Sequence, residues 1–187
     1  MSDYLADDSA AEDQRALWAA QHNPALFAPV YERYVARIYA YCRRRTASVS
    51  DAEDLCSTVF ARALAGLHTY KGGHVAAWLF GIAHNCVVNY YRARRVTLPL
   101  DDDCRADSQT AFDAVEDAHD GRIVARLIAE LPDEQQDLIA LAVDAGLTSP
   151  QIGALLGKNA GAVRVQLHRL FKTLRQRLIG ETDYERR

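Results

Sequence analysis

The sequence predicts an all-α fold, with two small helical domains joined by a flexible acidic linker. Three observations carry the prediction. Strand signals are almost absent, with no hairpin dipeptide between alternating apolar runs. Apolar residues recur instead at the spacings of a helix across most of the 187 residues. Between two helical stretches, Val96 to about Ala118 is acidic and irregular, carrying Pro99 and Asp101-Asp102-Asp103.

Residues 1–13 read as a disordered acidic tail, with the first domain set at 16–96. A first helix is expected from Glu12 to Gln21. Asn23-Pro24 opens a second helical stretch to about Thr46, and Pro29 restarts or bends it near its beginning. Val30, Tyr31, Tyr34, Val35, Ile38 and Tyr41 share its broad apolar face. Ser50 opens a third helix to about Leu67, and Ser50 with Glu53 fits a capping box. A glycine-bearing loop, Gly66 to Gly73, leads to a long helix from Val75 to Arg95. The linker is placed at 97–119 and the second domain at 120–180, with 181–187 as a tail. Helices are expected from Asp120 to Leu131, Asp133 to Ala145, Ser149 to Leu156 and Asn159 to Leu178. Pro132, Pro150 and Gly157 punctuate them.

The net charge is −3 and the pI about 6.1, so overall charge makes no case for nucleic acid. The distribution does. Gly146 to Gly180 holds six basic residues and no acid, Val75 to Arg95 three arginines and no acid, and Asp101 to Asp120 eight acids against Arg105 alone. No apolar run approaches the ~18 residues of a membrane span, and no basic-then-apolar leader is visible. The expected compartment is the cytoplasm, without membrane insertion. Cys42, Cys56, Cys86 and Cys104 lack CxxC spacing and are expected as reduced thiols. Cys56 and Cys86 should pack in helices, and Cys104 should be exposed.

Ser149 to Leu174 has helix-turn-helix grammar. Ser149 is a good N-cap, Pro150 suits the first turn, and Gly157 suits a left-handed C′ position. Val163, Leu167, Leu170 and Leu174 then form a buried stripe on a basic helix. Its other faces show Arg164, Val165, Gln166, His168, Arg169 and Lys172. Arginine can bridge guanine O6 and N7, and glutamine can bridge adenine N6 and N7. Lys172 and Arg175 are better placed for phosphates. The plain alternative is a helical hairpin with a solvated basic face.

On the Val75–Arg95 helix, Trp78, Asn85, Asn89 and Arg92 fall nearly on one line at ~100° per residue. Leu79, Ile82, Ala83, Cys86 and Tyr90 form the adjacent core stripe. Amides can read the edges of unpaired bases and aromatic rings can stack on them. Arg92, Arg94 and Arg95 would hold the backbone, and the neighbouring loop with Tyr70 and Lys71 could accept an unstacked base. In the plain alternative Trp78 and Tyr90 are core, the amides are solvated and the arginines answer the helix dipole.

Three stretches resemble the extracytoplasmic-function, group IV RNA polymerase sigma factors of the sigma-70 family. They are Asp51-Ala52-Glu53-Asp54-Leu55 continuing to Val59-Phe60, Ala77 to Asn85 continuing to Asn89-Tyr90 and Arg92, and Leu131-Pro132 to Leu174. Together they cover most of residues 24–178, in family order. The resemblance implies a factor that binds core RNA polymerase, recognises the −10 and −35 promoter elements and initiates transcription, with no catalytic residue or cofactor of its own. It assigns Asp51, Glu53, Asp54, Leu55 and Phe60 to the polymerase clamp. It assigns Tyr70, Lys71, Trp78, Asn85, Asn89, Arg92, Arg94 and Arg95 to the −10 element. Arg164, Gln166, His168, Arg169 and Lys172 fall to the −35 element. The acidic linker would lie in the polymerase's RNA path, where carboxylates can mimic a phosphate chain. Family members are often held by an anti-sigma factor, which makes one a candidate partner. This chain departs from the family pattern at Gln136, Gly153, Lys158 and Ala162. Gly153 should soften its short helix.

Two other functional classes compete with this one. A helix-turn-helix regulator acting without polymerase would explain residues 149–178 but not the Trp78/Asn85/Asn89 line. A metalloenzyme would need His68, His74, His84 and Cys86 at ligand spacing, and the sequence has no such spacing.

Overall fold

The computed structural model describes the backbone of residues 3–46, 48–97 and 118–185, and the side chains of 10–46, 48–94, 121 and 123–180. The irregular stretch of the linker and Cys104 lie outside them. Every regular element among the described residues is helical. The chain divides into two units, Met1–Cys104 and Arg105–Arg187.

In the first unit α1 spans Asp3–His22, α2 Ala28–Arg43, α3 Val49–Ala65 and α4 Val75–Thr97. The helix therefore begins at Asp3, well ahead of the expected Glu12. Alanine is the strongest helix former, and the segment carries it at positions 6, 10 and 11. The acidic segment taken for a tail thus has a helical reading of its own.

Asn23 Oδ1 accepts the Ala25 N–H at 3.1 Å and starts the 3-10 turn Pro24–Phe27, and α2 restarts with Pro29 in its first turn. Leu17, Val30, Ile38, Tyr41, Leu79 and Phe80 are fully buried between these helices. Each such side chain contributes roughly 1.5–3 kcal/mol relative to exposure. Tyr31 differs from expectation. It is 45% exposed and lies edge-on against Phe60 at 4.7 Å.

The cap of α3 is Ser48, not Ser50. Its hydroxyl oxygen accepts the Asp51 N–H at 3.0 Å. Thr46 sets this register, because its hydroxyl lies within hydrogen-bonding distance of the carbonyls of Cys42 and Ser48. That tight exit from α2 leaves Ser48 extended and starts the helix early. On α4 the core stripe is Val75, Leu79, Phe80, Ala83, Cys86 and Val87, while Ile82 is only half-buried.

In the second unit α5 spans Ala118–Ala129, α6 Asp133–Val143, α7 Ser149–Leu156 and α8 Ala160–Glu185. Gln136 Nε2 donates to the carbonyls of Ala129 (3.2 Å) and Leu131 (2.8 Å), clipping the α5–α6 turn. The cap of α7 is Thr148, one residue before the expected Ser149. The Gln151 side-chain oxygen accepts the Thr148 N–H at 2.7 Å, which anchors the chain at that residue. Gly157 is left-handed at φ 66°, and Asn159 Oδ1 accepts the Gly161 N–H at 2.8 Å to cap α8.

Gly153 proves to be a close-approach glycine. A Cβ there would meet the Lys158 carbonyl oxygen at 2.6 Å. The turn is folded against the α7 backbone, so this glycine permits the motif rather than only loosening it. Lys158, the other departure in this turn, pairs with Glu134 on α6. Ile152, Val163, Leu167 and Leu170 close the core between α7 and α8.

Candidate functional site

Two faces carry the candidate chemistry, one in each unit. In the first unit α3 and α4 enclose a groove of about 380 Å³. Asp51, Asp54 and Leu55 line it from α3, and Cys86, Asn89 and Tyr90 from α4. The structure thus brings together residues that the sequence separates by some thirty positions.

Asp51 has two jobs here. It occupies the first turn of α3, where the helix dipole favours a carboxylate, and it accepts a hydrogen bond from the Tyr90 hydroxyl at 2.8 Å. Arg94 Nη1 donates to the same hydroxyl at 2.7 Å and lies 3.9 Å from the Asp51 carboxylate. Its guanidinium also sits over the Tyr90 ring at 5.6 Å. Burial pushes the Tyr90 phenol above its ordinary value, with Arg94 opposing the shift. Asp51 and Arg94 are therefore partly committed to the fold, whereas Glu53 and Asp54 are exposed.

Leu55 and Phe60, expected on the polymerase surface, are instead core residues, 8% and 5% exposed. Phe60 lies 6.3 Å from Phe27 and 4.7 Å from Tyr31. Both residues belong to the α3 stripe that turns inward with Ala52, Cys56, Val59 and Ala63.

Asn85, Asn89 and Arg92 are exposed along α4, and Trp78 is half-buried at its start. Trp78 Nε1 donates to Thr69 Oγ1 at 3.4 Å, which ties the helix to the preceding loop. Lys71 is exposed at the tip of that loop. Tyr70 corrects the sequence reading. It is 1% exposed, donates from its hydroxyl to the Gly73 carbonyl at 2.6 Å and packs between Trp18 (5.7 Å) and Trp78 (5.6 Å). It is a post under the loop, not a ring offered to a base. Arg95 lies on α4, with its side chain outside the described residues.

Sequence reasoning missed the contribution of α1. Gln14 donates to the Gly73 carbonyl at 2.8 Å, and Gln21 to those of Leu67 and Tyr70 at 2.9 Å each. Positions 14, 18 and 21 share one helix face, and that spacing was the available signal. Asp13 anchors the helix, accepting from Arg33 at 2.6 Å and from the Tyr34 hydroxyl at 2.7 Å.

In the second unit Arg164, Gln166, His168, Arg169 and Lys172 are all exposed on α8. Val165, 49% exposed, sits among them opposite the Val163/Leu167/Leu170 stripe. None of the five polar side chains has a hydrogen bond or ion pair to protein among the described residues.

Among those residues no three of His, Cys, Asp and Glu are gathered as a metal site. His68 and His74 are exposed, His84 lies 3.3 Å from the Tyr41 hydroxyl, and Cys86 is buried. Burial, and then the neighbouring Cys56 and Cys86, pushes the Cys42 thiol up to about 12. Such a group is a poor nucleophile. Nor is any helix of the described residues long and apolar enough to cross a membrane.

Residues 30–97 match the family model for sigma-70 region 2, and residues 121–174 that for sigma-70 region 4. The chain is 34% identical over 149 residues to the ECF RNA polymerase sigma factor ShbA of Streptomyces griseus, covering 72% of this chain and 78% of ShbA. It is 27% identical over 164 residues to the RNA polymerase sigma factor YlaC of Bacillus subtilis, covering 84% of this chain and 94% of YlaC. The fold is shared with the sigma factor RpoE of Bartonella quintana, solved with the anti-sigma factor NepR. The TM-score is 0.67 at 20% identity, over 82% of this chain and 96% of RpoE. With a region 2 match, a region 4 match and these relatives along most of its length, the chain belongs to the extracytoplasmic-function, group IV RNA polymerase sigma factors of the sigma-70 family.

Proposed function

We propose that this chain directs core RNA polymerase to its promoters by reading two DNA elements with two differently built faces. The observation that carries the proposal is the pairing of two exposed faces in one chain. The first unit presents Asn85, Asn89 and Arg92 beside a braced loop, and the second presents a basic stretch of α8, free of acids through Gly180, behind a tight glycine turn.

In the first unit, Asn85 and Asn89 supply amide edges for unpaired bases of the −10 element. Trp78 borders the loop that would take an extruded base, and Lys71, Arg92, Arg94 and Arg95 hold the strand electrostatically. Glu53 and Asp54, exposed on α3, are the acidic contacts to the polymerase clamp, while Asp51 supports them through Tyr90 and Arg94. In the second unit, α8 enters the major groove of the −35 element. Arg164, Gln166, His168 and Arg169 face base edges and Lys172 faces phosphate. The acidic stretch between α4 and α5 acts as a flexible tether along a basic surface of the polymerase. An anti-sigma factor is a candidate partner, since the RpoE relative was solved with one.

In vitro transcription with core polymerase, with and without the chain, is the test. Promoter-specific transcripts only in its presence are expected. Strong specific duplex binding by the free chain, with no transcript from the mixture, would favour a regulator that acts without polymerase.

A further inference from the structure

We propose that α1 is part of the −10 site, with Gln14, Trp18 and Gln21 forming a brace that sets the shape, and so the base selectivity, of the Gly66–Gly73 loop. The inference rests on the reading of α4 and this loop as the single-strand site. It adds three residues upstream of both family-model matches, the first of which begins at residue 30.

The tip of the loop is held partly from within, by Tyr70, and partly by α1. Gly72 and Gly73 have φ of 101° and 93°, conformations that glycine enters freely and that no side chain of their own restrains. Contacts from other residues must hold them. Gln14 Nε2 donates to the Gly73 carbonyl, which also accepts from the Tyr70 hydroxyl. Gln21 Nε2 donates at 2.9 Å to both Leu67 and Tyr70 carbonyls, using both N–H bonds of its amide. The reversed amide would set its oxygen against two carbonyl oxygens, so the orientation is forced. Between these anchors Trp18 packs on Tyr70, and its Cζ2 would lie 3.9 Å from a Cβ at Gly72. The exposed Lys71–Gly72 tip is thus bracketed by three hydrogen bonds and one ring, all from a single helix face. Neutral glutamines can donate to carbonyls here without adding charge beside a DNA strand.

The test uses holoenzyme assembled from the full chain and core polymerase. The probe is pre-melted promoter DNA randomised across the −10 strand, scored by enrichment of each base at each position. Gln21→Met is of similar size and uncharged but cannot donate a hydrogen bond. Gln14→Ala removes a half-buried side chain at the helix surface, and carries the test if the first variant does not fold. Either variant should flatten the preference at one position by about fivefold, the scale of one lost hydrogen bond. Polymerase affinity, −35 duplex binding and preferences elsewhere should be retained. A uniform loss at all positions, or an unchanged preference at every position, overturns the brace. Asn85→Ala separates the two layers. If it flattens its own position while the glutamine variants change nothing, only the brace fails. If none of the three changes any preference, the −10 reading fails with it.

Discussion

The exposed faces of α4 and α8 carry similar chemistry, amides and guanidiniums on a helix, but they are supported differently. On α4 the candidate reading face adjoins a scaffold. Trp78 is tied to Thr69, Tyr90 to Asp51 and Arg94, and the neighbouring loop to α1. On α8 the five candidate side chains are exposed, without a hydrogen bond or ion pair among the described residues, on a helix whose core stripe is buried. The difference follows the form of the ligand. Duplex DNA brings its own rigid groove, so an exposed helix set at the right angle is sufficient. A melted strand brings no shape, so the protein must supply the pocket and fix it beforehand.

The comparison can be broken at several points. The largest effect is expected from Gly153→Val. Its side chain would collide with the Lys158 carbonyl, destabilise the second unit by about 3 kcal/mol and abolish −35 binding. Thermal melts should show this loss while −10 binding by the first unit persists. Next is Asn85→Ala, expected to lower open-complex formation by about 2 kcal/mol on the scale of lost base contacts, with polymerase binding intact. Permanganate footprinting beside a polymerase pull-down would show it, and equal loss of both would remove Asn85 from the reading face.

Arg164→Ala should cost about 1–2 kcal/mol of discrimination among −35 variants at fixed salt, without changing stability, because the side chain is exposed and pairs with nothing among the described residues. Asp51→Ala should act in the opposite sense. Removing a first-turn carboxylate that accepts from Tyr90 should destabilise the first unit by about 1 kcal/mol, seen as a shifted denaturation midpoint. Asp54→Ala should lower polymerase affinity more than stability. A reversed ranking of these two would undo the division between support and contact on α3. The smallest effect belongs to Lys172→Ala. It should weaken all −35 sequences alike and reduce the salt slope by about one.

Much of this was legible in the sequence because helix periodicity and punctuation are local. Gly157 and Asn159 mark their turn by their own backbone preferences, and the Val163/Leu167/Leu170 stripe shows its period directly. Register and commitment were harder to read. Ser50 and Ser149 are as good N-caps as Ser48 and Thr148. The choice fell to the Thr46 exit turn in one case and to the reach of Gln151 in the other. Tyr70 and Phe60 look like contact residues in sequence, since an aromatic ring suits a core and an interface equally.

By itself, then, the sequence determined the helices, the tight turn of the second unit and the two basic segments, all set by neighbours within a few residues. Only the tertiary structure decided which polar groups are spent on the fold and which remain for a partner. Asp51 and Tyr90 lie 39 positions apart, and Gln21 and Tyr70 lie 49. A hydrogen bond across such a separation leaves no periodic trace in the chain, because it depends on where two packed helices bring their side chains together.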